Sequence, residues 1–310
     1  MEVDLWSGDF GLPSVDSNCL QILALTTFSK VPVKVNFSNN PWKWFSSTLP
    51  VFRSSSKGTM TKFSEVWSFF KSEVQNYDIE SHLSKKDLSD INAYIAMVTH
   101  KLEPCLMYLW WGDEKNYIEF TRPWFAKKIP FPGNYFIPGH LQRKVDEMLK
   151  ATFENIDESQ IPAILFSDAQ KCMTLLSEKL SHNEYFIGKK PTAFDAVAFS
   201  YLAPILMVPF PNSKQLQNHL KACTNLTKFV ERIIERYFPV ANKSDKSKFE
   251  NASQTPSDDV DFPHKWRDII LSTLFASAAM IGYSLVVGII RVSFNDKIED
   301  EENDSDEEET

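Results

Sequence analysis

A run of 22 residues without a charged side chain, at positions 269–290, constrains this chain more than any other feature. As an α-helix rising about 1.5 Å per residue, the run would be about 33 Å long, enough to cross the hydrocarbon core of a bilayer. A buried core helix is the alternative, but core helices are usually shorter and amphipathic. The sequence therefore predicts one membrane span, with residues 1–268 on one side and residues 291–310 on the other. The predicted anchor residues are Ile269, Ile270, Leu271, Leu274, Phe275, Ile281, Gly282, Leu285, Val286, Val287, Ile289 and Ile290.

The charge of the chain is concentrated behind this span. Residues 291–310 hold ten acidic side chains against Arg291 and Lys297, and residues 1–290 hold 31 basic and 31 acidic side chains. A neutral body without a polybasic stretch gives no electrostatic footprint for nucleic acid, so we expect no nucleic-acid partner. The acidic tail is either a solvated run or a dock for basic segments of precursor proteins.

The four cysteines, Cys19, Cys105, Cys172 and Cys223, are too widely spaced for a C-x-x-C motif. We therefore expect neither a metal site nor a disulfide framework, but reduced and mostly buried thiols in a cytosol-facing domain. The N-terminus lacks the basic region and apolar run of a signal peptide, so targeting is assigned to the C-terminal span.

The first 78 residues show a strand–helix–strand–strand–strand–helix order. Strands are predicted at 3–6, 33–37 and 48–52, with a hairpin turn at 54–58. Ser14 is the predicted cap of the first helix, which runs to about Ser29 and is apolar on two sides. Phe63, Val66, Trp67, Phe70 and Val74 form one face of the second helix.

This order, with Leu49-Pro50-Val51-Phe52 leading into the third strand, resembles the thioredoxin-like domain of glutathione transferases. The resemblance implies a cis peptide at Pro50. It also places Lys62-Phe63 where transferases use an acidic or amide residue followed by Ser to hold glutathione, and phenylalanine supplies no hydroxyl. Ser7, Ser14 and Cys19 lie near the position of the family's thiol-activating side chain, but Asp16 would occupy the first turn of the following helix. A carboxylate there already uses the positive end of the helix dipole that an incoming thiolate or carboxylate needs. We therefore expect no working glutathione site, no cofactor and no catalytic residue.

Residues 79–238 are predicted to be all helical. Ser84 and Asp87 form a capping-box start, and the helix is expected to end where Pro104 interrupts it. Trp110 and Trp111 are expected in the core. Amphipathic helices are predicted at 141–155 and 168–182, the second with Cys172, Leu175, Leu176 and Leu180 inward. Thr192 and Asp195 resemble the folding motif of the transferase helical domain, so Asp195 is assigned a structural role.

Residues 121–139 interleave prolines with aromatic side chains. Four prolines in this segment predict irregular structure rather than helix. Its aromatic residues therefore either fill the core or form a partner surface. The candidate partner surface consists of Trp124, Phe125, Phe131, Tyr135 and Phe136.

The whole chain resembles a metaxin of the longer, tail-anchored type. The motifs that carry the resemblance are Leu5-Trp6-Ser7-Gly8, Asn40-Pro41-Trp42, Thr48-Leu49-Pro50, Lys115-Asn116-Tyr117, Pro130-Phe131-Pro132 and Phe199-Ser200-Tyr201-Leu202. The resemblance implies a mitochondrial outer-membrane protein that faces the cytosol, with its short tail in the intermembrane space. The implied partners are a second metaxin and subunits of the sorting and assembly machinery, which inserts β-barrel proteins.

The expected fold is α+β and glutathione-transferase-like: a thioredoxin-like domain (1–78), an all-α domain (79–238), a polar disordered linker (239–268), the transmembrane helix (269–290) and the acidic tail (291–310). The expected function is non-enzymatic, by protein–protein binding in import and assembly. The alternatives are a membrane-tethered glutathione-dependent transferase and a mitochondrial adaptor without an import role.

Overall fold

The computed structural model describes residues 1–40, 49–72 and 77–239, together with positions 270, 273–277, 279–281 and 283. Residues 1–263 and residues 264–310 form two separate compact units. Val74, Trp42, Thr48, the linker apart from Pro239, the acidic tail and most of the predicted span lie outside the described residues.

The first unit begins with a four-stranded mixed sheet in the order β2-β1-β3-β4. Its strands are β1 (Glu2–Leu5), β2 (Lys34–Phe37), β3 (Val51–Ser54) and β4 (Gly58–Met60). β1 runs parallel to β2 and antiparallel to β3, and β4 is antiparallel to β3. Val3 and Leu5 are fully buried while their neighbours in the strand are half-exposed, as the alternation of side chains along a strand requires. The predicted element order is confirmed, and the Leu49–Pro50 peptide is cis.

The first helix, α1 (Ser17–Phe28), connects β1 to β2 and is buried on nearly all sides. Its cap differs from the prediction, because Asp16 rather than Ser14 is the N-cap residue and accepts a hydrogen bond from the Cys19 N–H. The carboxylate therefore satisfies an amide of the first turn from just outside the helix.

Nine further helices complete the described part of this unit. They are α2 (Phe63–Ser72), α3 (Lys85–Met107), α4 (Glu114–Asn116), α5 (Arg122–Lys128), α6 (Gly133–Thr152), α7 (Ile161–Leu180), α8 (Ala193–Met207), α9 (Lys214–Ala222) and α10 (Thr224–Tyr237). Two π-helical turns, Tyr108–Gly112 and Tyr117–Thr121, flank α4. Helices α6 and α7 begin before the predicted positions 141 and 168.

Pro104 does not end its helix, so that prediction is wrong. α3 continues to Met107 and passes directly into the first π-helical turn. A proline inside a helix removes one backbone hydrogen bond. Here Leu102, Cys105, Leu106 and Leu109 are all essentially buried around it. Their burial offsets the lost bond, because each large apolar side chain contributes roughly 1.5–3 kcal/mol.

The proline-rich segment 121–139 is mostly helical, which corrects the prediction of irregular structure. Pro123 lies in the first turn of α5, directly after the second π-helical turn. Pro130 and Pro132 lie in the short connection to α6, and the Phe131–Pro132 peptide is cis. Of the four prolines in this segment, only Pro138 lies in the interior of a helix. The positions of the prolines, rather than their number, decided the structure.

Helix α8 is buried on nearly all faces, and α1, α3, α9 and α10 pack against it. Along α7, Cys172, Leu176 and Leu180 point inward as predicted, but Leu175 is 50% exposed. The buried face of α7 is narrow and does not include Leu175, so the prediction that Leu175 points inward is wrong.

In the second unit, the described positions between 270 and 283 are helical, and Ile270, Leu274, Phe275 and Ile281 are exposed. Among the residues that the structure describes, no helix has the length and apolar character needed to cross a membrane. The span at 269–290 stays a prediction.

Candidate functional site

The start of α1, next to the end of β1, is where the transferase resemblance locates a thiol-activating group. The Asp16 Oδ1 atom accepts from the Cys19 N–H at 2.8 Å, and the backbone N–H of Trp6 points at the Cys19 Sγ atom at 3.5 Å. Burial, together with the charge of Asp16, raises the pKa of the Cys19 thiol well above its ordinary value. A buried thiol of raised pKa stays protonated and is a poor nucleophile.

Ser7, the second candidate at this position, is also engaged. Its hydroxyl donates to the side-chain Oδ1 of Asn39 at 2.8 Å, and its backbone N–H donates to the same oxygen at 3.2 Å. These two bonds tie the loop after β1 to the end of β2.

At the start of α2, the structure places Lys62 and Phe63 as the sequence predicted. Lys62 is exposed, and its backbone N–H donates to the Glu65 carboxylate at 3.3 Å. The Phe63 ring packs against the Trp67 ring with 6.0 Å between centroids. Residue 63 therefore contributes an apolar contact where a hydroxyl would be needed to hold a tripeptide.

Between the sheet and the helical half, the loop after β1 meets α5. Phe10 has a positive φ of 56°, and its ring lies 5.5 Å from the ring of Phe120 and 5.8 Å from that of Trp124. Asp9 beside it accepts from the Trp124 indole Nε1–H at 3.0 Å and pairs with the Lys128 Nζ at 2.8 Å. Burial acts to raise the pKa of Asp9, but the bonds from Lys128 and Trp124 outweigh it and the pKa is lowered. We call Asp9, Phe10, Phe120, Trp124 and Lys128 the junction cluster.

The structure divides the candidate partner surface into two parts. Phe125 is 7% exposed, and Trp124 is half-buried in the junction cluster, so these two residues belong to the core. Trp110 and Trp111 are buried beside them, as predicted. Phe131 is partly buried, whereas Tyr135 is 40% and Phe136 72% exposed at the start of α6. Only these last three remain candidates for a surface that contacts another molecule.

A second connection between the two halves is made by Glu80, which the sequence analysis did not single out. Its fully buried carboxylate accepts from the Ala193 N–H at 2.9 Å and from the Trp67 Nε1–H at 3.1 Å, and it pairs with Lys71 at 2.9 Å. The carboxylate thus joins α2 to the N-terminus of α8. No local pattern around residue 80 signals this role, because its partners are distant in sequence.

The capping box at the start of α8 is confirmed. Asp195 is fully buried and accepts from the N–H and the hydroxyl of Thr192 at 2.8 and 2.7 Å, and from the Phe186 N–H at 3.0 Å. Burial raises the pKa of Asp195 to about 6 even though these bonds act to lower it. The residue holds the segment before α8 in place, which is a structural task.

The four cysteines are free, and in the part of the chain that the structure describes no group of three or more His, Cys, Asp or Glu side chains is placed to hold a metal ion.

Two family models match parts of this chain. Residues 19–142 match the family model of Tom37, described as an outer mitochondrial membrane transport complex protein, and residues 169–233 match the model of the glutathione S-transferase C-terminal domain. Among solved structures, human glutathione transferase theta-2 is 11% identical in sequence to this chain, with a TM-score of 0.47. The superposition covers 84% of this chain and 94% of the transferase chain.

Two relatives are more similar in sequence to this chain than that transferase is. Metaxin-1 of Mus musculus is 36% identical over 297 residues, which cover 94% of this chain and 92% of the relative. Metaxin-3 of Xenopus laevis is 36% identical over 241 residues, or 77% of each chain. With a relative this similar over nearly its whole length, the chain belongs to the metaxin family.

Proposed function

We propose that this protein is a non-enzymatic subunit of a transport complex of the outer mitochondrial membrane and acts by binding other proteins. The family and the match of residues 19–142 to a model described as an outer mitochondrial membrane transport complex protein support the setting.

The observation that carries the non-enzymatic part is the junction cluster. Phe10 lies against Phe120 and Trp124, and Asp9 is bonded to both Trp124 and Lys128, so this face of the thioredoxin-like half is fastened to the helical half. At the N-terminus of α1, the Asp16 carboxylate already accepts the hydrogen bond from the Cys19 N–H. An incoming carboxylate or thiolate would need a backbone N–H donor of this kind. The contacts between the halves and the occupied N-terminus of α1 support binding of other proteins rather than turnover of a small substrate.

In finer detail, we propose that the complex is the sorting and assembly machinery for β-barrel proteins, with a second metaxin as partner and precursor proteins as clients. The body then faces the cytosol, the span at 269–290 anchors it, and the acidic tail lies in the intermembrane space. A glutathione-dependent transferase and an adaptor without an import role are the competing functions.

The test is purification of the intact, tagged protein from mitochondria solubilised in mild detergent, followed by identification of the proteins that travel with it. A matched control carries residues 239–310 on an unrelated soluble domain, so that partners recruited by the anchor alone are recognised. We expect a metaxin and assembly subunits with the intact protein and not with the control. Recovery of motor or cytoskeletal proteins without assembly subunits would favour the adaptor function instead.

A further inference from the structure

Residues 120–145 are basic in a chain that is acidic overall. They contain five Lys or Arg residues and one His but no Asp or Glu, whereas the whole chain has a formal net charge of −8. The nearest acidic residues on the two sides of this segment are Glu119 and Asp146. In a sequence with 41 acidic residues, a segment of this length without one gives part of the surface a single sign of charge.

The structure shows which of these cations are available. Lys128 is committed to Asp9 in the junction cluster. Lys127, Arg143 and Lys144 are exposed, and none of the three has an acidic partner at ion-pair distance among the described residues. His140 is also exposed and adds charge when protonated.

The start of α6 adds aromatic side chains to these cations. Phe136, His140 and Arg143 follow one another at the spacing that puts them on one helix face, and Asn134, Pro138, Val145 and Leu149 are buried on the opposite face. Phe136 is 72% exposed, the largest exposed fraction among the aromatic residues that the structure describes. Tyr135 is 40% exposed and is supported from behind by Phe131, with ring centroids 6.1 Å apart. We call Phe136, His140, Arg143 and Lys144 the α6 patch.

A protruding aromatic ring among unpaired cations fits the interface of an anionic bilayer. Aromatic rings settle at the headgroup level, and Lys and Arg are attracted to negatively charged lipid surfaces. An aromatic residue at the centre of a protein interface usually fills a desolvated pocket surrounded by apolar contacts. On its own helix face, Phe136 is instead followed by His140 and Arg143.

The length of chain between the body and the predicted anchor is compatible with this arrangement. The sequence predicts a polar, disordered linker at 239–268 between the body and the predicted anchor, and a flexible chain of about 30 residues would span roughly 30 Å root-mean-square. A body tethered at that distance meets the bilayer surface at high effective concentration, so even weak contacts suffice to orient it.

We propose that the α6 patch is a lipid-docking surface that lays the body against an anionic membrane face. The proposal relies on the proposed function only for its cellular setting, because it concerns lipid and not the partners of the complex.

The test is hydrogen exchange on the intact protein mixed with lipid nanodiscs of phosphatidylcholine, with or without added phosphatidylserine. We expect amide exchange in residues 133–145 to slow several-fold with the anionic discs, and this protection to disappear at high salt. The readout is the same whether the protein reaches the disc through its anchor or from solution.

Two variants and one control sharpen the result. Arg143→Glu with Lys144→Glu should abolish the protection, and Phe136→Ser should weaken it without changing the charge. Lys189→Glu with Lys190→Glu makes the same charge change at exposed positions elsewhere and should leave the protection intact. Equal exchange in neutral and anionic discs would overturn the proposal, and so would protection that appears only when a co-purified protein is added. Neither result bears on the co-purification experiment, so the two proposals fail separately.

Discussion

The indole N–H of Trp124 donates a hydrogen bond to the carboxylate of Asp9, 115 positions earlier in the chain, with 3.0 Å between Nε1 and Oδ2. The bond joins the loop after β1 to α5, and Lys128 on the same helix pairs with the same carboxylate oxygen. Trp124 thereby belongs to the contact between the two halves of the body.

The first prediction concerns the contribution of this contact to the free energy of unfolding. Trp124→Ala should lower the free energy of unfolding by about 3 kcal/mol, near the lower end for aromatic core residues because the ring is only partly buried. Phe136→Ala, at an exposed position of the same segment, should change it by less than about 0.5 kcal/mol. Urea unfolding of the intact protein measures both. If both variants were equally stable, Trp124 would not be a core residue.

The second prediction concerns the buried carboxylate of Glu80. Glu80→Ala leaves Lys71 and the Trp67 and Ala193 N–H groups without their partner, and removing one member of a buried pair costs about 3–5 kcal/mol. Glu80→Gln keeps an acceptor oxygen and should cost less. Thermal unfolding, with the exposed Glu178→Ala as the control, should show the order Glu80→Ala, Glu80→Gln, Glu178→Ala from least to most stable.

The third prediction follows from the raised pKa of Asp195. Because its pKa is about 6 in the folded protein and ordinarily 3.8, the folded state binds the proton more tightly than the unfolded state. The group's contribution to stability is therefore fully present below about pH 4 and is lost as the pH rises through about 6, a change on the order of 2–3 kcal/mol. Asp195→Asn cannot titrate, so the stability difference between wild type and variant should shrink over this window. Unfolding curves of both proteins across the window test this, and a difference that grows with pH would contradict it.

The fourth prediction tests the non-enzymatic proposal. The protein should neither bind glutathione at millimolar concentration nor conjugate it to an electrophile, because Phe63 supplies no hydroxyl and Asp16 occupies the N-terminus of α1. Isothermal calorimetry and a conjugation assay, each with an active glutathione transferase as positive control, provide the measurements. Saturable binding that is lost on mutation near Pro50 would show that the transferase function is retained.

The fifth prediction concerns the span at 269–290. Replacing Ser272, Ser277 and Ser284 with Leu should favour insertion, since each Leu contributes roughly −0.5 kcal/mol near the centre of a span. Tail anchors of the mitochondrial outer membrane tend to be moderately apolar, so the more apolar variant should shift partly to the endoplasmic reticulum. Imaging of N-terminal fluorescent fusions measures the shift. A chain that ends at Lys265 should be diffuse in the cytosol, and its firm retention on mitochondria after alkaline carbonate extraction would contradict the proposed topology.

The sequence predictions that the structure confirms depend on local rules. The alternation of Val3 and Leu5 defined β1, and the Ser84–Asp87 and Thr192–Asp195 capping boxes marked the starts of α3 and α8. Each depends on residues a few positions apart, so the chain encodes it without reference to the rest of the fold. The departures at Asp16 and Phe63 from the transferase pattern could also be recognised in the sequence. The structure places Phe63 at the start of α2 as expected, whereas Asp16 is the N-cap residue of α1 and does not lie in its first turn.

Only the tertiary structure decided which aromatic residues of 121–139 are core and which are surface. The sequence shows one proline-rich aromatic block, but burial depends on what packs against each side chain. Trp124 meets Asp9 and Phe10 from the other half of the body, while Phe136 meets nothing that covers it within the described residues. The same reason hid Glu80, whose bonds to Trp67 and Ala193 span 13 and 113 positions, and it explains why α3 passes through Pro104: long-range packing outweighs a local helix-breaking signal.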